Sequence, residues 1–233
     1  MGVLGCGPTM PAKEDQPAAP AETASQEDQP AAPAETASVN SIGMQFELIP
    51  AGKFKMGFGA HQVTLTKPFY LGVYEVTQEQ YERVMGTNPS DFNGAKNPVE
   101  QVSWEDAVEF CRKLSALPEE KAAGHVYRLP TDAEWEYACR AGTTTDFTFG
   151  DDENQLGDYA WYDENSGDRT HPVGQKKPNA RGLYDMHGNV WEWCQDRYGD
   201  LPAGAVTDPT GPSTASDRVY RGGSWCVSAW SCR

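Results

Sequence analysis

The sequence predicts an irregular, loop-rich α+β domain with short strands and about three helices, and three observations carry that expectation. With 23 Gly and 17 Pro among 233 residues, long regular elements have little room. Seven Trp and ten Tyr supply large rings that can pin irregular backbone where helices and sheets do not. The third observation is that short alternating runs and capped helical runs sit together in the first half, followed by a long stretch, 143–217, with little periodicity. An aperiodic stretch of that length inside a domain is usually functional or organised by a metal.

Taken in order, Met44-Gln45-Phe46-Glu47-Leu48-Ile49 alternates and stops at Pro50-Ala51-Gly52, which reads as a strand and turn leading into Phe54-Lys55-Met56. Val63-Thr64-Leu65 and 69–73 read as further short strands. Thr77 with Gln80 forms a capping box ahead of Tyr81 and Val84. Ser103 precedes a helix whose Ala107, Phe110, Cys111 and Leu114 share one face. Thr131 with Glu134 opens a third helix, which buries Trp135, Ala138 and Cys139 and stops at Gly142. Arg218 to Trp225 returns to a strand-like pattern.

The folded domain is expected over 40–233 and a tail over 1–39. Glu14 to Ser25 recurs unchanged as Glu27 to Ser38, rich in Pro, Ala and acids and without an aromatic residue, so it reads as an extended, solvated linker. Val3-Leu4-Gly5-Cys6 has the form of a bacterial lipobox, although the charged and apolar regions that should precede it are missing; a start codon placed too late explains the mismatch. If Cys6 is acylated, the tail tethers an extracytoplasmic domain to a membrane; if the match is accidental, the protein is cytoplasmic. No apolar run reaches the length of about 18 residues that a spanning helix needs. The net charge of −15 disfavours nucleic acid and anionic membrane surfaces as partners.

Three ordered motifs point further. They are Arg128-Leu129-Pro130-Thr131-Asp132-Ala133-Glu134-Trp135-Glu136, then Gly182-Leu183-Tyr184-Asp185-Met186-His187-Gly188-Asn189-Val190-Trp191-Glu192-Trp193, then Arg221-Gly222-Gly223-Ser224-Trp225. The central run interleaves two Trp with Asp, Asn and Glu between tight Gly turns, and such oxygen-rich loops suit Ca2+, which takes six to eight oxygen ligands. Together the motifs resemble the formylglycine-generating enzyme (sulfatase-modifying factor) family, whose fold is an elaborated C-type lectin. The resemblance covers Asn40 to Arg233 and implies that a closing Arg-rich segment follows in family members.

The resemblance implies one calcium site at Asp185, the carbonyls of Gly188 and Val190, and Glu192, with a second near Tyr159 to Gly167 where Asn165 is the candidate. It implies catalysis by two thiols that bind Cu(I) and let O2 oxidise a substrate Cys to formylglycine. Cys232 falls at the second thiol position, whereas the first falls at Val227, so Cys226 sits one residue early. In an extended segment that offset turns the side chain to the opposite face unless a bulge restores it. Ser224 and Trp191 match residues lining the enzyme's substrate cleft. Cys111 and Cys139 read as buried free thiols; in an exported protein Cys194 with Cys226 or Cys232 is the disulfide to test first. The four His are scattered without metal-ligand spacing.

Two functions follow. One is a calcium-braced extracytoplasmic module that binds a protein or glycan, with Trp225 and Trp230 as exposed anchors; core packing competes with that role, more strongly for Trp225. The alternative is a copper-dependent oxidase acting on a sulfatase-type peptide through Cys226 and Cys232.

Overall fold

A computed structural model describes residues 3–4, 7–9, 38–57, 61–201 and 204–233. Cys6 and the repeat before Ser38 lie outside the described residues. In chain order the elements are β1 (Val3–Leu4), β2 (Gly7–Thr9), β3 (Ser38–Val39), β4 (Gln45–Ile49), β5 (Gly52–Met56), β6 (His61–Leu65), β7 (Phe69–Gly72), α1 (Gln78–Met85), α2 (Trp104–Ser115), α3 (Pro118–Ala123), β8 (Val126–Arg128), α4 (Asp132–Arg140), α5 (Leu156–Tyr159), β9 (Glu192–Arg197), β10 (Ala205–Thr207) and β11 (Arg218–Arg221), with 3-10 turns at Glu153–Gln155 and Ala229–Cys232. They assemble small sheets in the orders β3-β4-β7, β10-β6-β5 and β1-β9-β11, plus the pair β2-β8.

The capping chemistry read from the sequence sets the main helices. The side chains of Thr77, Ser103 and Thr131 each accept a hydrogen bond from the backbone N–H of the third helical residue, and their own backbone N–H groups donate in return to the side chains of Gln80, Asp106 and Glu134 respectively. Ala107, Phe110, Cys111 and Leu114 bury the inner face of α2. They pack with Phe46, Tyr81 and Tyr127 in one core cluster. Complete burial of side chains such as Phe110 and Leu114 is worth about 1.5–3 kcal/mol each. Trp135, Ala138 and Cys139 of α4 join a second cluster with Val63 and Leu65. β4 bridges the two, because Phe46 faces the first and Ile49 the second.

Four details depart from the expectation. The alternation along β4 breaks at its end, where Leu48 is exposed and Ile49, beside the Pro50 turn, is buried. Two extra short helices form, α3 from Pro118 at its N-terminus to the left-handed Gly124, and the four-residue α5; both are too short to show apolar periodicity. α4 ends one residue sooner, at Arg140, because Ala141 itself adopts the left-handed conformation with φ 49°. β9 lies inside the stretch expected to lack elements. It alternates faithfully, but the buried positions hold Glu192 and Asp196 as well as Cys194, so a hydrophobic period misses it.

A buried network fastens the start of the domain. Glu120 of α3 accepts hydrogen bonds from Ser41 N at 2.7 Å and Tyr127 Oη at 2.5 Å, and pairs with His125 Nδ1 at 2.8 Å. Burial pushes its carboxyl up, yet these hydrogen bonds outweigh it and hold the pKa down at about 2. A depressed carboxyl contributes stability that is present above its ordinary range and lost as pH falls towards the folded value. Thermal melts between pH 5 and pH 2 should therefore show a loss that Glu120→Gln lacks, while at neutral pH that variant should be about 2 kcal/mol less stable.

Candidate functional site

The segment 182–193 enters through Gly182 and turns on two non-glycine left-handed residues, Asp185 at φ 59° and Asn189 at φ 63°. Asn and Asp tolerate that conformation better than most residues. Asn179 organises the approach: its Nδ2 donates to the carbonyls of Ala138 and Cys139, and its Oδ1 accepts from Arg181 N and Leu183 N. Gly188 is pressed against the Trp161 carbonyl, 2.3 Å from where a Cβ would lie.

This loop brings acids into the interior. Asp185, Glu192 and Glu75 are all buried. Asp185 Oδ2 accepts from Gly174 N at 2.7 Å, while its Oδ1 has no hydrogen-bond partner. Burial pushes the Asp185 carboxyl up to about 6, against the opposing effects of that hydrogen bond and of Lys176. Burial likewise pushes Glu192 up to about 8, opposed by the Trp135 indole and reinforced by Asp185. Glu75 is raised well above its ordinary value, by burial first and then by Asp185 and Glu192, although it accepts hydrogen bonds from Asn189 Nδ2 at 2.8 Å and Val190 N at 3.1 Å. Glu75 escaped the sequence reading. Its only signal was an acid between Val73 and Val76, in the apolar approach to the α1 cap.

Asp185, Gly188, Val190 and Glu192, the residues expected at the calcium site, are all buried. A buried carboxylate oxygen without a partner, beside a second buried acid, fits a hard cation. Among the described residues no group of three or more His, Cys, Asp or Glu side chains converges to hold a metal, so such a cation would also have to draw on main-chain carbonyls, which the resemblance assigns to Gly188 and Val190. Asn165 has another task. Its Oδ1 accepts from Tyr162 N at 2.9 Å and its Nδ2 donates to the Ala160 carbonyl at 2.9 Å, so its carboxamide shapes its own turn.

Next to this loop a cleft of about 280 Å³ joins Trp191 and Ser224 with Trp225, Asp91, Phe92, Glu100, Gln101 and Val190. Trp225 is a wall, not a free anchor: it is half-buried and meets Phe92 edge-on at 5.2 Å. Gln101 sits there at φ 60° with its Nε2 donating to Asp91 Oδ2 at 2.7 Å. The 90–101 side of the cleft carried no motif signal in the sequence. Trp230 is 67% exposed, with the Arg233 guanidinium 5.0 Å from its ring.

The two thiols differ in burial, although both lie against Ser224. Cys226 is exposed, and its Sγ lies 3.4 Å from Ser224 Oγ. Cys232 is buried in a third cluster with Phe147, Leu156 and Tyr162, tight against Gly223. Burial pushes its thiol up to about 12, against a hydrogen bond from the Ser224 backbone. The backbone here is a turn followed by a 3-10 helix, so the offset of Cys226 is not restored by a bulge in a strand. Cys139, Cys194, Cys226 and Cys232 form no disulfide with one another. The disulfide expected from Cys194 is absent because that residue is fully buried in the second cluster, apart from Cys232 in the third.

His187 connects the loop to the C-terminal turn. Its Nδ1 donates to the Cys232 carbonyl at 2.7 Å and its Nε2 accepts from Thr148 N at 3.1 Å, which requires a neutral ring. Burial, first among the causes, pushes its pKa down to about 4.

A loop-rich α+β scaffold with an acid-lined Trp loop beside a Gly-Gly-Ser turn defines a sulfatase-modifying type of domain. The chain belongs to that family: the sulfatase-modifying factor enzyme 1-like domain matches residues 31–233. It is 35% identical over 230 residues to the chaperone protein LppX of Paenibacillus barcinonensis, covering 78% of each chain. It is 35% identical over 185 residues to the formylglycine-generating enzyme of Mus musculus, covering 74% of this chain but only 46% of that enzyme's length. Treponema denticola variable protein 1 shares the fold with TM-score 0.75 and 36% identity, over 86% of this chain and 91% of that one. PvdO from Pseudomonas aeruginosa does so with TM-score 0.72 and 28% identity, over 87% and 91%.

Proposed function

We propose that this domain is a calcium-braced extracytoplasmic binding module that holds a protein or glycan on its loop surface. The observation that carries the reading is the unequal setting of the two candidate thiols, Cys226 exposed and Cys232 packed in a core cluster where burial pushes its thiol up to about 12, which disfavours the thiolate pair that Cu(I) needs. Asp185, Gly188, Val190 and Glu192 would hold Ca2+, which would supply the positive charge that the buried acids lack. Trp230, exposed at the C-terminal turn, is an anchor for a partner. The similarity to the chaperone protein LppX supports a role in engaging another protein. The lipobox-like start supports a lipid anchor at Cys6. No helix among the described residues is long and apolar enough to cross a membrane.

The alternative, a copper-dependent formylglycine-generating oxidase, is favoured by the similarity to the formylglycine-generating enzyme of Mus musculus and by Trp191 and Ser224 lining a single cleft beside Cys226. Anaerobic Cu(I) titration and mass spectrometry of a sulfatase-type Cys peptide incubated with copper and O2 decide between them. The binding-module reading expects sub-stoichiometric copper and an unchanged peptide; stoichiometric copper with conversion of Cys to formylglycine would establish the oxidase.

A further inference from the structure

A second, larger cleft of about 930 Å³ lies on the outer face of the β9-β11 ribbon, reaching the start of α2. Its floor is aromatic. Tyr220 pairs across the strands with Trp193. Its ring stands edge-on to Trp191 at 5.0 Å and to Trp193 at 5.6 Å. Trp104 continues the strip, and Tyr198 stands at the rim, 70% exposed. Tyr220 is itself 51% exposed although it sits in the middle of this wall. The one aliphatic side chain in the lining is Val219, and it is buried. Grooves that take an apolar helix rely on aliphatic and Met side chains, so this composition argues for a ligand that lies flat on rings.

The polar groups narrow the ligand further. The two indole N–H groups nearest the floor are already used, Trp104 Nε1 donating to the Cys194 carbonyl at 2.9 Å and Trp193 Nε1 to the Val102 carbonyl at 3.0 Å. What the cleft offers at its edge is acceptors, chiefly the exposed carboxylates of Glu105 and Asp217. A proline-rich peptide presents mainly carbonyl acceptors and finds few donors here. An anion meets carboxylates. A cation meets two resident guanidinium groups, since Arg218 already lies 3.5 Å from the Trp104 ring centroid and Arg221 is bound to Asp132 at 2.5 Å.

A ligand with ring-sized apolar faces and many hydroxyl donors satisfies both the floor and the edge. We infer that the β9-β11 cleft binds an uncharged oligosaccharide, with the exposed Tyr220 and Tyr198 rings stacking on sugar faces and Glu105 and Asp217 accepting from hydroxyls. This identifies the ligand class of the binding-module reading and rests on it. The site is separate from the Ser224 cleft, which Trp191 borders from the other side.

The test is tryptophan fluorescence and calorimetric titration of the full chain with cellohexaose, maltohexaose and N-acetylchitohexaose, and separately with a peptide of residues 14–25 and a hexalysine peptide. Saturable binding of at least one sugar, with Tyr220→Ala and Tyr198→Ala each raising Kd about tenfold, is the expected result. Both side chains are exposed, so the variants should keep the wild-type melting temperature. Failure of all three sugars to bind, or sugar binding unchanged in both variants, overturns the inference. Binding of either peptide at this cleft in place of sugars also overturns it while leaving the binding-module reading intact; that reading fails instead if the copper assay turns over peptide.

Discussion

Calcium added to the chelator-treated protein at pH 8 is expected to raise its melting temperature by roughly 5–10 °C, as follows from about 2.7 kcal/mol at a hundredfold excess over Kd and about 2–4 °C per kcal/mol for a chain of this size. The rise should be smaller at pH 5.5. Asp185 and Glu192 have folded pKa values raised to about 6 and about 8 by burial. A raised carboxyl favours the folded state while it is protonated, and that stability is lost as pH climbs from the ordinary carboxylate range through the folded value. Without the ion, the contribution of these acids therefore declines towards pH 8. With it, their charge is neutralised where they are most ionised. Glu192→Gln should raise the melting temperature of the calcium-free protein at pH 8 and abolish the response to calcium. Differential scanning calorimetry at the two pH values, with and without the ion, measures both effects.

Gly188→Ala is expected to cost about 3 kcal/mol, which makes it the most damaging single methyl the loop can receive. The added Cβ would stand 2.3 Å from the Trp161 carbonyl oxygen. That oxygen cannot simply retreat, because it accepts from Asn189 N at 2.8 Å. Asn189 in turn donates to Glu75 and to the His171 carbonyl. Relief at Gly188 therefore displaces the same backbone that sets Asp185 and Val190. The variant should melt roughly 5–10 °C lower than wild type and bind calcium more weakly, whereas Gly86→Ala, at a helix end with open space around its Cβ position, should lose stability without altering calcium binding.

Local chemistry made much of the fold legible. Thr77, Ser103 and Thr131 announce helices because a side-chain oxygen followed by an acid or amide three residues later satisfies backbone N–H groups wherever the chain then goes. The apolar face of α2 was equally readable. β9 was not, since its inward positions carry Glu192 and Asp196, and an acid in a core has no hydrophobic period to reveal it. The same property hid Glu75. The candidate calcium residues were found through motif resemblance and the Gly-punctuated acids, and all four are buried. The thiols show the limit of register arguments: a one-residue offset separates side chains on a strand, but here a turn and a 3-10 helix separate Cys226 from Cys232, which no strand pattern encodes. Both clefts depend on residues distant in sequence, such as Phe92 with Trp225 and Trp104 with Arg218, and contacts of that kind leave no local trace.

The most direct test is calorimetric titration of the chelator-treated protein with CaCl2, alongside MgCl2 and the Glu192→Gln variant. The acid-lined Trp loop predicts saturable calcium binding that magnesium, with its demand for near-ideal octahedral geometry, matches poorly and that Glu192→Gln eliminates. Absence of calcium binding, or binding of equal strength in the variant, would contradict it.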